Sequence, residues 1–404
     1  MNKILIIGYV WPEPSSSAAG RHMMEIIQIF LDKDWEITYA TPAVDSPYRV
    51  DLSTLGITEA NIELNNESFD RWLEPIKPDV VIFDRFMMEE QFGWRVAQTC
   101  PQAIRVLDME DLHFLRMARQ QALKNEGQLE LKNETAVREV ASMLRCDLSL
   151  VISQLELDLL EKTFNLDSDI LHYLPFMFDL PDEEVADYSA RKDFVFVGTM
   201  RHAPNLDAIR YLKKVLWPKI RRQLPEVNLE IVGSYPTKEI MQMHKPSEGF
   251  LVLGKVDDLE SLLINKRVSL APLRYGAGLK GKLLEAMTFG SPSVTTKIGA
   301  EGIAGDMPWP GVIAQDDESF ITAAVNLYSD REQWHQSQQA GFAILRERFS
   351  KQLHSKLLIH RLIEIRNNLD KHRKNNFMGM ILQHSTIRST EYMARWIECK
   401  NKIL

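Results

Sequence analysis

Cysteine is scarce in this sequence. Cys100, Cys146 and Cys399 lie far apart among 404 residues and show no metal-ligand spacing, so they read as reduced cytosolic thiols. Basic charge is also short. The formal net charge is −8, and no segment carries the basic patch that a general nucleic-acid binder needs. No apolar run approaches the roughly 20 residues of a membrane span. The opening MNKILIIGYVWPEP passes from a short apolar run straight into a turn, unlike a secretion signal. These absences point to a cytoplasmic protein and leave peripheral contact at the inner face of a membrane open. Low-complexity segments and short repeats are lacking as well.

What is present is an ordinary soluble mixture, 45% hydrophobic and 26% charged. The chain is too long for one ordinary core and suggests two or three domains. Apolar runs of strand length at residues 2–8, 35–40, 79–83, 104–107 and 148–152 alternate with helix patterns at 21–31, 89–98 and from 154 onward. The polar stretch 125–135 reads as an exposed excursion between helices. Prolines and a charge run mark a linker at 174–192, after which the rhythm restarts. Strands follow at 194–197, 229–232, 249–253, 268–272 and 293–296, with helices at 205–224, 259–264 and 279–289. This alternation predicts an α/β fold class, two Rossmann-like, doubly wound parallel sheets facing a cleft. Ligands of such sheets sit at the carboxyl ends of the strands. Residues 317–404 are nearly all helical.

One stretch of the second half raises a chemical question: APLRYGAGLKGKLLEAMTFGSPSV, residues 271–294. A turn containing Gly276, Gly278 and Gly281 runs into a helix pattern, and Lys280 and Lys282 stand where that helix begins. The positive end of a helix dipole disfavours cations by a few tenths of a kcal/mol or more. Two lysines beside a loop stripped of side chains therefore point to a bound anion. Solvated surface charge is the plain alternative.

Four segments occur in order: DFVFVGTMRHAPNLDAIRYL, LEIVGSYP, LGKVDDLESLL and VSLAPLRYGAGLKGKLLEAMTFGSPSVTTKIGAEGI. Together they resemble the C-terminal half of the retaining, metal-independent nucleotide-sugar glycosyltransferases of the GT-B fold, the group 1 or family 4-like transferases. The resemblance is dense from residue 193 to about 349 and holds only in outline before that. It implies an acceptor-side domain at 1–180, a nucleotide-sugar-binding domain at 181–349, and C-terminal helices at 350–404 crossing back to the first domain.

The same resemblance implies roles for particular residues. Gly276, Gly278 and Leu279 of the loop, with the helix N-terminus behind them, cradle the donor diphosphate. Lys280, Lys282 and Arg201 of the GTMRH segment neutralise its charge, and Gly198, which opens that segment, also contacts the donor. Glu285 hydrogen-bonds the ribose, although a carboxylate one turn into a helix also serves as a simple cap. Backbone groups of Lys255 and Val256 read the nucleobase, while Asp257 or Asp258 caps the next helix. One departure stands out: many members carry a second glutamate eight positions before Glu285, where this chain has Ala277, so the contacts to the donor sugar must differ.

On the acceptor side, Gly20 belongs to a small-residue run after the first strand that allows close backbone approach. Arg21 opens the following helix, again as a cation at a helix start. Asp108, Asp111 and His113 of DMEDLHFLR form a strand-end group able to orient a hydroxyl; a capped helix with a solvated histidine is the plain alternative.

The expected reaction is sugar transfer to a hydroxyl of a glycan or lipid-linked acceptor with retention, driven by stabilisation of the leaving diphosphate. The expectation includes no cofactor beyond the donor and no metal, since the chain lacks an Asp-x-Asp pair in a suitable strand-end loop. Its setting would be polysaccharide or surface-glycan synthesis. A noncatalytic scaffold and a nucleotide-sugar epimerase are the rival readings, and the oligomeric state is left open. From residue 350, Leu353, Leu357, Leu358, Leu362 and Ile365 are spaced as a helix stripe that predicts the return to the first half. A last helix at 390–403 presents Tyr392, Met393, Trp396 and Ile397 on an apolar face, for docking on its own protein, on a membrane or on a partner.

Overall fold

A computed structural model describes residues 2–178 and 186–403. The boundary expected at 180/181, and part of the 174–192 linker, lie outside the described residues.

The first half contains a seven-stranded sheet. Its strands are β1 (Lys3–Ile7), β2 (Glu36–Thr41), β3 (Thr58–Asn61), β4 (Val80–Asp84), β5 (Ile104–Asp108), β6 (Leu148–Val151) and β7 (Leu171–Tyr173). They lie in the order β3-β2-β1-β4-β5-β6-β7, and every pair is parallel. The second half contains β8 (Lys192–Val197), β9 (Leu229–Val232), β10 (Phe250–Gly254), β11 (Lys266–Ala271), β12 (Ser293–Thr296) and β13 (Gly311–Ala314). Their order is β10-β9-β8-β11-β12-β13, again parallel. In each sheet the order reverses beside the first strand, between β1 and β4 and between β8 and β11. The loops leaving those strands part there and open a crevice.

The central strands are buried on both faces, which explains their continuous apolar runs. Three short edge strands, β3, β7 and β13, lacked that signal. The helix expected at 205–224 is interrupted: Ala203–Tyr211 leads into a π turn at Leu212–Leu216 and then Trp217–Gln223. Pro218 accounts for the break, because it has no N–H and its ring crowds the carbonyl four residues earlier.

An apolar cluster joins the halves. Ile152, Phe176 and Phe178 of the first pack with Leu279, Leu283, Leu284 and Phe349 of the second. The helix Lys351–Asn367 then leaves the second half, and its Leu358, Leu362 and Ile365 are buried among Ile4, Ile6, Met23, Ile26 and Val80 of the first. Burying each such side chain stabilises by about 1.5–3 kcal/mol. Leu353 and Leu357, expected on the same stripe, remain exposed. The final helix, Phe377–Ile403, lies on the helices Phe86–Thr99 and Glu134–Arg145 of the first half.

Candidate functional site

The carboxyl ends of the two sheets face each other across a cavity of about 400 Å3, within the usual range for ligand pockets, roughly 300–1,000 Å3. Bonds across the cleft hold the halves together. Ser16 and Ser234 hydroxyls lie 2.8 Å apart. Arg119 of the first half donates to both oxygens of Glu301 at 2.7 and 2.9 Å and to the Gly276 carbonyl at 2.7 Å. Glu156 accepts the Gly278 N–H at 2.6 Å.

On the second-half wall, the helix Gly281–Thr288 begins with Lys280 at its N-cap and no side-chain cap. Lys280 and Lys282 both line the cavity but differ in their partners. Lys280 is buried and folds back on its own loop, donating to the carbonyls of Ala277 (3.0 Å) and Gly278 (2.6 Å). Burial pushes its pKa down to about 8, against the pull of Glu156 and Glu301. Lys282 donates to Asn205 Oδ1. Burial, then the neighbouring Lys280, push its pKa down to about 7, with Glu285 opposing. Lys280 thus ties the turn to the helix, and Lys282 is the more available cation.

Gly198 follows β8 directly and lies close to Asn205 and Lys282. A Cβ there would stand 2.6 Å from Asn205 Nδ2 and 3.0 Å from Lys282 Nζ, so glycine is what the approach allows. Lys255, Val256, Gly276, Leu279 and Glu285 also line the cavity. Asp258, not Asp257, caps the following helix through Ser261 N at 2.9 Å. Burial raises the pKa of Glu285, whose Oε1 accepts from Arg21 at 3.2 Å.

On the first-half wall, Asp111 and His113 line the cavity together with Glu110, Arg85 and Arg116. Burial alone would raise Asp111, but the Arg116 guanidinium at 2.6 Å and His113 hold it at about 2. His113 starts the helix His113–Asn125, whose first N–H groups are capped by the buried Glu139 at 2.9 and 2.8 Å. Burial lowers His113 to about 4 despite Asp111 at 3.7 Å, and lowers the cavity-lining His202 of the opposite wall to about 4 as well. Both imidazoles are neutral near pH 7 and able to accept a hydrogen bond on one nitrogen.

Four expected residues stand elsewhere. Arg201 is exposed and outside the cavity lining, its guanidinium 3.4 Å over the Tyr235 ring. Aromatic stacking beside the cleft mouth wins over an inward pose. Asp108 is fully buried behind the wall, where burial and then Glu110 push it up to about 8. Gly20 does not line the cavity; a Cβ there would strike the backbone of Glu13 at 2.5 Å, so it serves the packing of the loop before the helix. Gly278, with φ +64, is also outside the lining, and a Cβ on it would lie 2.8 Å from Asp111 Cβ. Arg21 lines the cavity but does not open its helix. That helix is Ala18–Leu31, capped by Ser17, and Arg21 is engaged by Glu25 at 3.1 Å and Glu285 at 3.2 Å.

Nothing in residue type or spacing singled out Arg85 and Glu110. Both have positive φ, +71 and +55, at the ends of adjacent strands. Arg85, with ψ 159, sits in a region normally confined to glycine, at a cost of about 1–3 kcal/mol. The first-half core and the Asp84–Arg85 ion pair at 3.5 Å enforce it. Behind Glu110, His22 is wholly buried, with Glu110 Oε1 3.7 Å from its Nδ1. Burial opposes the imidazolium, but Glu110 and Asp108 outweigh it and raise His22 to about 9. Among the described residues, His22, Asp108 and Glu110 are the one His and carboxylate group close enough to hold a metal ion, with ligand atoms within 4.8 Å of one another. His22 and Arg85 both set positive charge beside these carboxylates.

Comparison with known proteins places this geometry. Residues 191–330 match the family described as Glycosyl transferases group 1. A curated relative from Klebsiella pneumoniae, an uncharacterized 44.6 kDa protein in the cps region, is 29% identical over 188 residues. That match covers 45% of this chain and 47% of the relative, about half of each. Among solved structures, sucrose-phosphate synthase from Thermosynechococcus elongatus aligns with a TM-score of 0.67 at 15% identity, covering 90% of this chain and 98% of that one. Anabaena Alr3699/HepE in complex with UDP and glucose aligns with a TM-score of 0.65 at 15% identity, covering 90% and 99%. TarM aligns with a TM-score of 0.68 at 10% identity over the same shares. The chain therefore has the GT-B fold, and its residues 191–330 are similar to the glycosyl transferases group 1 family.

Proposed function

We propose that this protein is a glycosyltransferase that moves a sugar from a nucleoside-diphosphate donor to a hydroxyl of a glycan or lipid-linked acceptor. The observation that carries this reading is the pairing of two walls on one cavity: the glycine loop with Lys282 and Glu285 on one side, and Asp111, His113 and Glu110 on the other. Lys282 and the helix N-terminus would face the diphosphate, and Glu285 the ribose. A neutral His113 beside Asp111 would accept or orient the acceptor hydroxyl. The leaving diphosphate needs charge stabilisation more than covalent help, which suits a cavity holding Lys280, Lys282, Arg85 and Arg116. Retention of configuration and independence of metal belong to the same proposal.

The structures of HepE with UDP and glucose, and of the pneumococcal O-GlcNAc transferase GtfA with UDP and GlcNAc, support a nucleoside-diphosphate donor. The cps-region relative, and WaaG, a glycosyltransferase involved in lipopolysaccharide biosynthesis, support a place in surface-glycan synthesis. Ala277 favours a second reading, a noncatalytic partner subunit, because it presents a methyl group where many of the resembling enzymes carry a carboxylate.

The deciding experiment has two stages. A thermal-shift screen identifies the nucleoside diphosphate, since a ligand at 100 times its Kd stabilises by about 2.7 kcal/mol. The matching nucleotide sugar is then incubated with a panel of glycan and lipid-linked acceptors. Release of free nucleoside diphosphate with a glycosylated product of retained anomeric configuration is the expected result. Tight binding without turnover across the panel would favour the noncatalytic subunit, and an isomerised nucleotide sugar would mean epimerisation.

A further inference from the structure

The last helix is oriented the opposite way from an ordinary surface helix. Its polar and small residues face the protein. Asn376 and Gln383 side-chain amides donate to the carbonyls of Leu144 and Arg145 at 2.8 and 2.6 Å. Gly379 lies so close to Leu144 that a Cβ would stand 2.0 Å from its carbonyl oxygen. Ala394 is buried, and Glu398 pairs with the buried Arg95. The opposite face carries Phe377, Met378, Ile381, Tyr392 and Trp396, exposed by 44–70%. At 100° per residue these five fall within about one third of the helix circumference. Of the three occupants left open for this face, the rest of the chain is not one: the aromatic side chains point outward.

Charge on this segment is equally one-sided. Residues 371–404 hold seven Lys and Arg against two Glu, in a chain whose net charge is −8. Both glutamates are largely covered, Glu391 at 18% and Glu398 at 12% side-chain exposure, and Arg395, which pairs with Glu391 at 2.6 Å, is itself 63% exposed. Lys371, Lys374 and Lys400 are exposed too, and Lys400 stands 5.4 Å over the Trp396 ring. No helix among the described residues is long and apolar enough to cross a membrane.

We infer that the outward face of the helix Phe377–Ile403 is a docking surface for an anionic phospholipid bilayer, on which the helix lies parallel to the membrane plane. An amphipathic helix with Trp, Tyr and Met on its apolar face and an excess of exposed Lys and Arg in and just before it fits the boundary between headgroups and acyl chains. Indole and phenol rings sit at that depth, and each basic side chain is attracted to an anionic surface by about 1 kcal/mol. A protein partner could cover the apolar residues, but the positive margin with its acids turned inward selects a negative surface. The inference is independent of the reaction proposed above.

The test is co-sedimentation of the full chain with phosphatidylcholine vesicles, with and without phosphatidylglycerol. The full chain should pellet with the mixed vesicles and much less with phosphatidylcholine alone. A Tyr392→Ser, Trp396→Ser variant should lose tenfold or more in partitioning, and each of Arg395→Gln and Lys400→Gln roughly fivefold. These side chains are exposed, so the variants fold, as gel filtration and an unchanged melting temperature would verify. Equal partitioning into both vesicle types, or variants that pellet like the parent, would overturn the proposal. So would a parent that ignores vesicles but self-associates through a contact that Trp396→Ser abolishes, which would assign the face to a second copy.

Discussion

At the residue scale, Lys282 is decisive because it lines the cavity and is held by one neutral partner, Asn205. Replacing it by Ala should weaken nucleoside-diphosphate binding about tenfold or more and leave nucleoside binding nearly unchanged. Calorimetry with both ligands checks this, and equal losses would make the lysine a fold residue. Its pKa near 7, with Lys280 near 8, carries a second consequence. At pH 8 Lys282 is mostly neutral, and an arriving diphosphate favours the charged form and so raises its pKa. Binding at pH 8 should therefore take up protons, and affinity should fall as pH rises above about 7. Titration in buffers of different ionisation enthalpy measures the uptake; a binding enthalpy independent of the buffer would contradict the assignment.

At the scale of elements, the glycine loop both lines the cavity, through Gly276, Ala277 and Leu279, and joins the halves. Gly278 holds φ +64, gives its N–H to Glu156, and leaves no room for a Cβ beside Asp111 and Ile152. Gly278→Ala should lower the melting temperature by several degrees and weaken donor binding with it, since strain and overlap act together, about 1–3 kcal/mol. Unaltered stability would mean that the joint yields freely. The returning helix Lys351–Asn367 offers a contrast far from the cavity. Leu362 is fully buried within the first half's core, so Leu362→Ala should destabilise by about 2–5 kcal/mol. Nucleotide affinity, measured below the new melting temperature, should stay near the parent's.

At the scale of the whole molecule, two sheets present their switch points to one cavity, and cations from both halves converge on it. Lys280 and Lys282 come from the second half, Arg85 and Arg116 from the first. On the proposed reading they would neutralise a diphosphate in the way a bound metal otherwise does. Turnover, once a donor and acceptor are known, should persist in excess chelator. The buried group His22, Asp108 and Glu110 makes this a sharp test, because it is the place where a cation would bind. Activity abolished by chelator and restored by magnesium or manganese would reassign that cluster.

The sequence by itself determined the α/β class and most strands of both sheets, because strands covered on both faces must be continuously apolar. It also pointed to the glycine loop with its two lysines, because a helix start that tolerates cations next to bare backbone is a local contradiction visible in a dozen residues. Tertiary structure alone decided which way each charge is turned. Arg201 stacks on Tyr235, Arg21 is held by two glutamates, and Asp108 lies behind the wall it was expected to line. Arg85, Glu110, Arg119 and Glu156 were illegible for the same reason. Their partners or neighbours come from other strands or the other half, as with Arg119 and Glu301, 182 positions apart. The positive φ of Arg85 and Glu110 leaves no trace in residue type when a surrounding core enforces it. Periodicity gave the last helix its apolar stripe but not its direction, because which face is covered depends on what the neighbouring helices offer. Those helices present backbone carbonyls and Arg95, which select the polar face and leave Tyr392 and Trp396 outside.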